Sequence, residues 1–178
     1  MKPKKCKVCK QEFTPVYSSV QNTCSIKCAV ELTQKKKEID WKIKKAKLKE
    51  ELTTVQDLIK LAQQVFNQYI RLRDQGKDCI SCNMKPKKEN AGHFYSAGTH
   101  TNVRFDERNV HLQCEHCNSF LSGNLLMYRE NLLAKLGIEE FERLTVDAMQ
   151  TRKYSREELK DLINNYKLKI KLLKSEQI

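Results

Sequence analysis

Eight cysteines in four close pairs are the part of this 178-residue sequence most committed to chemistry. Cys6-x2-Cys9 is followed after fourteen residues by Cys24-x3-Cys28, and Cys79-x2-Cys82 after thirty-one residues by Cys114-x2-Cys117. Each group supplies four thiolates, the soft donor set that suits a tetrahedral Zn²⁺. Two structural zinc ions per chain are therefore expected. The competing readings are buried unligated thiols or disulfides. Against them, the start Met1–Cys6 has no apolar signal core and no run approaches the ~18 apolar residues of a membrane span, so a reducing cytoplasm is expected. Neither cysteine-bearing segment has the apolar residues to hold a core, and metal binding supplies folding free energy directly.

A second chemically loaded stretch runs from Asn90 to Asn124 and holds all four histidines, His93, His100, His111 and His116. Short β-prone runs at His93–Tyr95 and Val103–Phe105, separated by a Gly-containing loop, predict a β-hairpin, and the second Cys pair should then open a helix. Cys pair, hairpin, Cys pair and helix make a treble-clef-like ββα-metal arrangement.

These groups need elements to position them. The segment from Ala29 to about Glu50 reads as a Lys-rich helix with little to bury, either a solvated linker or an arm contacting phosphates through Lys35, Lys36, Lys37, Lys42, Lys44 and Lys45. Thr53 with Gln56 reads as a capping box, followed by an apolar stripe, Val55, Leu58, Ile59, Ala62, Phe66, Tyr69 and Ile70, ending at Gly76. Leu125–Leu136 is predicted helical up to Gly137, then a short helix over Ile138–Met149, and a last helix from Ser155 with Glu158 as its capping-box partner and a stripe from Leu159 to Leu173. The fold class is thus α+β, mainly helical, divided as 1–30 zinc finger, 31–76 basic and amphipathic helices, 77–137 zinc-bound core and 138–178 C-terminal helices.

Lys and Arg number 34 against 22 Asp and Glu, for a net charge of +12. By position the nets are +9 for residues 1–50, +2 for 51–100, −3 for 101–150 and +4 for 151–178. Basic ends flanking a slightly acidic middle suit a protein that meets a polyanion, nucleic acid first, while its central segment does other chemistry.

The pattern in the central stretch resembles the HNH endonucleases, in which a His on the first strand is the general base, an Asn before the helix orients it, and a residue beside the last Cys pair holds a catalytic divalent ion. His93, Asn109 and Asn118 match those three positions, and an Asn at the third is also similar to phage endonuclease VII, a resolver of branched DNA. Over nearly the whole chain the sequence resembles the NinG family, the Rap recombination endonucleases of lambdoid phages. Phe66–Asp74, Cys79-Ile80-Ser81-Cys82, Gly92-His93-Phe94, Arg104–His111, Cys117-Asn118 and Ser122-Gly123-Asn124 carry that resemblance. It implies metal-assisted cleavage of Holliday junctions and D-loops, with Mg²⁺ or Mn²⁺ as catalytic ion, in the host cytoplasm.

One position departs from the pattern. Many HNH sites carry an Asp just before the base His, whereas here it is Gly92. A hard cation needs more oxygen than Asn118 gives, so Asp106 is the candidate further ligand, with His111 as a softer one behind it. Asp106 equally suits an ion pair with Arg104 or Arg108, and His93 suits metal ligation as well as base catalysis. Arg104 and Arg108 are placed either to clamp the phosphate or to serve the fold. His100 reads as a DNA contact or solvated residue, and His116 as exposed. A zinc-dependent DNA-binding adaptor without catalysis and an RNA-binding accessory protein are the rival functions. Two symmetric cuts from one constellation per chain predict a homodimer, its contact made by the Val55–Ile70 and Leu159–Leu173 stripes unless these pack on each other.

Overall fold

The computed structural model describes residues 1–176 and divides into two compact units that meet at Thr53 and Thr54. Residues 31–76, read from sequence as one segment, are thereby split between the units.

The first unit is a two-stranded antiparallel ribbon, β1 (Lys4–Lys5) with β2 (Glu12–Phe13), followed by α1 (Ile26–Leu52). Ser25 caps α1 by accepting from the Cys28 amide, which fixes Cys28 in the first turn facing the loop cysteines. No residue of α1 is buried, in keeping with its dense lysines.

The second unit begins with α2 (Val55–Arg73). Its capping box lies one residue beyond the sequence expectation: Thr54 accepts from the Asp57 amide and Asp57 accepts from the Thr54 amide. An ionised Asp at the third position is a stronger acceptor than Gln56 and also suits the positive end of the helix. The helix stops at Arg73, capped by Asp74, before Gly76 is reached. There follow β3 (Glu89–His93), β4 (Val110–Cys114), α3 (Leu125–Leu136), α4 (Ile138–Ala148) and α5 (Arg156–Ser175). Gly137, at φ +79°, both ends α3 and opens α4, and Ser155 with Glu158 forms the expected capping box of α5.

The hairpin is real but its strands lie elsewhere. β3 pairs antiparallel with β4 in the register Gly92 opposite His111 and His93 opposite Val110, so His93 closes the first strand rather than opening it. Val103 sits in a short 3₁₀ turn (Thr101–Val103) and Phe105 in the loop beyond, each buried in a different core. Tertiary burial outweighs their β propensity.

Alternation along the strands puts Ala91, His93, Val110 and Leu112 on one face and Asn90, Gly92, His111 and Gln113 on the other. Against the first face pack α2 and α5, whose stripes meet each other: Phe66, Ile70 and Leu159 are fully buried in one core with Phe105 and Val110. Each such side chain contributes roughly 1.5–3 kcal/mol. The two stripes are therefore satisfied within one chain and do not form the expected dimer contact. α3 and α4 hold the second core, Val103, Tyr128, Leu132, Phe141, Leu144 and Ala148, with Phe94 and Tyr95 against it. Arg73 ties the layers by donating to the carbonyls of Glu107 and Val110 while pairing with buried Asp74. Burial alone would raise the Asp74 carboxyl, but Arg73 and Lys77 hold it well below the usual range.

Candidate active site and metal centres

Both cysteine groups close. The sulfurs of Cys6, Cys9, Cys24 and Cys28 lie within 4.8 Å of one another, as do those of Cys79, Cys82, Cys114 and Cys117, and all eight are free of disulfides. Four sulfurs at ~2.3 Å from a central zinc stand roughly 3.8 Å apart in a tetrahedron. The observed separations are 3.4 Å for Cys9–Cys24 and 3.8 Å for both Cys24–Cys28 and Cys82–Cys114. Crowded thiols resist ionising together: Cys24 is pushed up to about 12, chiefly by the Cys9 thiol beside it, and Cys117 to about 12 by burial and neighbouring thiols. A dication relieves that resistance, so the donor chemistry fits zinc at both sites. In each group the residue after the first pair, Lys10 at φ 65° and Asn83 at φ 55°, turns left-handed to complete the knuckle.

His93 ends β3 on the face covered by α2 and is half-buried. Its Nε2 lies 3.1 Å from the Arg104 carbonyl oxygen. A carbonyl only accepts, so Nε2 carries the proton and the Nδ1 lone pair is left for a substrate proton or a ligand. Burial lowers the pKa of the imidazole below its ordinary value, and the Arg104 guanidinium adds to this against the opposing pull of the carbonyl. The ring is therefore neutral at neutral pH, the state a base requires. The Gln63 carboxamide nitrogen, 3.4 Å from Nε2, borders the ring from α2 and donates to Asn67 one turn on. Gln63 escaped the sequence reading; its signal is a polar i, i+4 pair beside an otherwise apolar stripe.

Among the described residues no hydrogen bond links His93 to the Asn109 side chain. Fully buried, it holds the loop between the strands: its Oδ1 accepts from the Tyr95 amide at 2.8 Å, and its Nδ2 donates to the carbonyls of Tyr95 at 2.9 Å and Val103 at 3.0 Å. Arg104 follows Val103, so Asn109 sets the carbonyl that orients His93. Its influence on the ring runs through the backbone. Tyr128 joins the same region from α3, its hydroxyl donating to the Gly92 carbonyl at 2.9 Å.

The other expected site residues are dispersed. Asp106 is held by Arg108, whose guanidinium also pairs with Glu140 and Asp147, so this arginine and its three carboxylates lock the loop to α4. Arg108 is a fold residue by its contacts, whereas among the described residues the Arg104 side chain is held by its Nε donating to the Ala97 carbonyl at 2.7 Å and by no carboxylate. His111 faces away from His93, sealed beneath α3 with Nδ1 3.4 Å from the Tyr128 hydroxyl, and burial pushes it down to about 3. Asn118 lies half-buried in a π-helical turn (His116–Phe120), and among the described residues no hydrogen bond links it to His93. His100 bonds through Nδ1 to the Ala148 carbonyl at 2.9 Å, and exposed His116 stacks on Phe120. Lys35 pairs with Glu31 along α1, and the other named lysines of that helix are exposed.

Gly92 has a structural reason. A Cβ there would stand 2.1 Å from the Gln113 Oε1, because the fully buried Gln113 side chain crosses from β4 into that space. Its Nε2 donates to Ser81 and to the Gly123 carbonyl, while Oε1 is a buried acceptor with no partner among the described residues. No aspartate fits where the HNH pattern places one. Among the described residues the two cysteine groups are also the only clusters of three or more His, Cys, Asp or Glu able to hold a metal. The protein donors therefore do not form a cage for Mg²⁺ or Mn²⁺: Asp106 is committed to Arg108, and His111 is walled off.

The family model described as "Bacteriophage Lambda NinG protein" matches residues 1–176. The chain belongs to the NinG family. Protein ninG of Escherichia phage 933W is 33% identical over 190 residues, covering 97% of this chain and 94% of that protein. Protein ninG of Salmonella phage P22 is 39% identical over 117 residues, 65% of this chain and 57% of that protein. Protein ninG of Escherichia phage lambda is 37% identical over 118 residues, 66% and 57% respectively. No solved structure matches the chain. Among the described residues, no helix of this NinG protein is long and apolar enough to cross a membrane.

Proposed function

We propose that this NinG protein is a structure-specific DNA endonuclease of phage recombination that hydrolyses phosphodiesters in Holliday junctions, D-loops and related branched DNA. The observation that carries the reading is His93: a half-buried, neutral imidazole whose Nε2–H is committed to the Arg104 carbonyl, leaving Nδ1 as the base. In this reaction Nδ1 takes a proton from water as the water attacks phosphorus, the bond from phosphorus to the leaving sugar oxygen breaks and that oxygen takes a proton from solvent, and the Arg104 carbonyl stabilises the imidazolium until it returns its proton to solvent. Asn109 keeps that carbonyl in place through the loop. The basic surplus of residues 1–50 and 151–178 supplies affinity without a sequence code, as suits an enzyme that selects branch shape. Since the protein donors do not converge, the Mg²⁺ or Mn²⁺ of this reading has to arrive largely on substrate phosphate and water. Asn118 is its assigned protein contact. Two related cuts call for two copies of His93, and the proposed active form is a homodimer.

The scattered donors favour a second reading, a zinc-dependent DNA-binding adaptor of recombination without catalysis. Cleavage of junction, D-loop, duplex and RNA substrates, with Mg²⁺, Mn²⁺ or neither, separates the two. The nuclease reading expects divalent-dependent cleavage of branched DNA, a loss of roughly 10²–10⁴ in rate for His93→Ala, and junction affinity within about twofold of wild type. Binding without cleavage under every condition leaves the adaptor, and a His93→Ala variant as fast as wild type removes the base assignment.

A further inference from the structure

We propose that a cationic cleft between the start of α2, the 96–104 loop and the linker from α4 to α5 is the track on which a DNA phosphodiester backbone lies as it reaches His93. The inference rests on the endonuclease reading for its destination, but the cleft itself is read from the walls. Its cavity is about 520 Å³, and Arg104, Arg152, Lys153, Tyr154, Gln56 and Thr101 are among its lining residues. Three of the lining side chains are cations and none is acidic. That composition is unexpected for a cleft lined in part by the 101–150 segment, whose net charge is −3.

A neighbouring cleft of about 340 Å³ shares Arg152 and Tyr154 and is lined also by Asp106, Glu107 and Glu158, carboxylates paired with Arg108, Lys169 and Arg152 in turn. Of the two, the cleft without carboxylates in its lining is the one suited to an anion. The cationic walls are also rigid. The Arg152 amide donates to the Thr101 hydroxyl at 2.8 Å, and the Tyr154 hydroxyl donates to the Thr101 carbonyl at 3.0 Å, which fastens the linker to the 3₁₀ turn.

The cations in it are available. Among the described residues neither Arg104 nor Lys153 pairs with a carboxylate, and the Arg104 Nε bond to Ala97 leaves its terminal nitrogens open. Arg152 does pair with Glu158 at 2.9 Å, but both are exposed, and such pairs exchange cheaply for phosphate. The cleft and the base meet in one residue. Arg104 lines the cleft while its carbonyl accepts from His93 Nε2, so a backbone lying in the cleft runs past the residue that orients the imidazole.

The test is equilibrium binding of a fluorescently labelled four-way junction to the zinc-loaded full chain, without added Mg²⁺ or Mn²⁺, across a salt series. The double variant Arg152→Ala/Lys153→Ala changes two exposed side chains and keeps the backbone bond to Thr101. Expected is a loss of about tenfold or more in affinity and a fall of about two in the slope of log K against log salt, with Arg152→Lys/Lys153→Arg near wild type. Lys87→Ala/Lys88→Ala, two exposed lysines outside both the cleft and the basic ends, controls for charge alone. An Arg152/Lys153 effect no larger than that control, or no change in slope, overturns the track. The two readings fail separately: unchanged junction binding with cleavage intact removes the cleft alone, while cleft-dependent binding by a wild type that never cuts removes the endonuclease and keeps the cleft as a phosphodiester site.

Discussion

Gly92 and His111 face each other across the hairpin and illustrate opposite ways in which a buried position restricts chemistry. At Gly92 the restriction is steric. Gly92→Asp would install the carboxylate of the HNH pattern, but its Cβ meets Gln113 Oε1 at 2.1 Å, in a side chain already anchored to Ser81 and Gly123. The expected cost is roughly 1–3 kcal/mol, read as a lowered urea midpoint, and pairing the change with Gln113→Ala should recover part of it. Equal losses in the single and double variants would mean that Gln113 is not the obstacle. At His111 the restriction is electrostatic. Its folded pKa is pushed down to about 3 by burial, with Lys135 and Arg73 adding to it, against ~6.5 unfolded. Below ~6.5 the unfolded chain takes a proton that the folded chain refuses, so stability falls as pH drops from there toward 3. The full slope is about 1.4 kcal/mol per pH unit, which makes roughly 2 kcal/mol between pH 7 and pH 5. Denaturant titrations of wild type and His111→Phe at both pH values check this. The variant should lose about that much less, and parallel losses would place the acid sensitivity elsewhere.

The elements that hold the site are built around sulfur, and their stability should follow metal. Protein purified without added metal is expected to carry about two zinc equivalents by elemental analysis. Cys79→Ser should cost more of the second unit's structure than any single core truncation there, because Cys79 and Cys117 are buried among its strands and turns while the cage joins 79–82 to the end of β4. One equivalent per chain would mean that one of the two cages is empty. These cages were legible in the sequence because ligand spacing is local, and the long helices were legible because an apolar stripe and a capping box are local too. The hairpin was legible as an element, but the position of its strands was not. β3 reads Glu-Asn-Ala-Gly-His, with little β propensity, and it forms because β4 and two helical layers cover it. Val103 and Phe105 looked like strand and became loop, because Asn109 pins the chain from within. For the same reason His93 and Asn109 could be named as candidates, but the carbonyl that connects them could not. The Asp106–Arg108 alternative, open in the sequence, resolves only when α4 brings Glu140 and Asp147 to the same guanidinium.

At the scale of the whole molecule the open quantity is copy number. Each chain carries one His93, and a four-way junction presents two strands related by a two-fold axis, so paired cutting calls for two chains or two visits by one. The α2 and α5 stripes are spent on each other, which removes the apolar faces first expected to join two copies. Among the described residues, what remains exposed and apolar includes Phe120, with Leu125 and Leu126 at the start of α3, and, on α1, Val30, Ile39, Trp41, Ile43, Leu48 and Leu52, each of the latter at least half accessible. They do not form one clean seam: α1 is polar on most sides and buries none of its residues, so any association through it should be weak. The dimer is therefore expected to assemble on DNA rather than before it. Sedimentation over a concentration series should give the 20.9 kDa monomer for free protein at low micromolar concentration, and two chains per junction once DNA is added. If one chain per junction persists at saturation while both strands are cut, the homodimer fails, and successive nicking by one subunit must account for resolution.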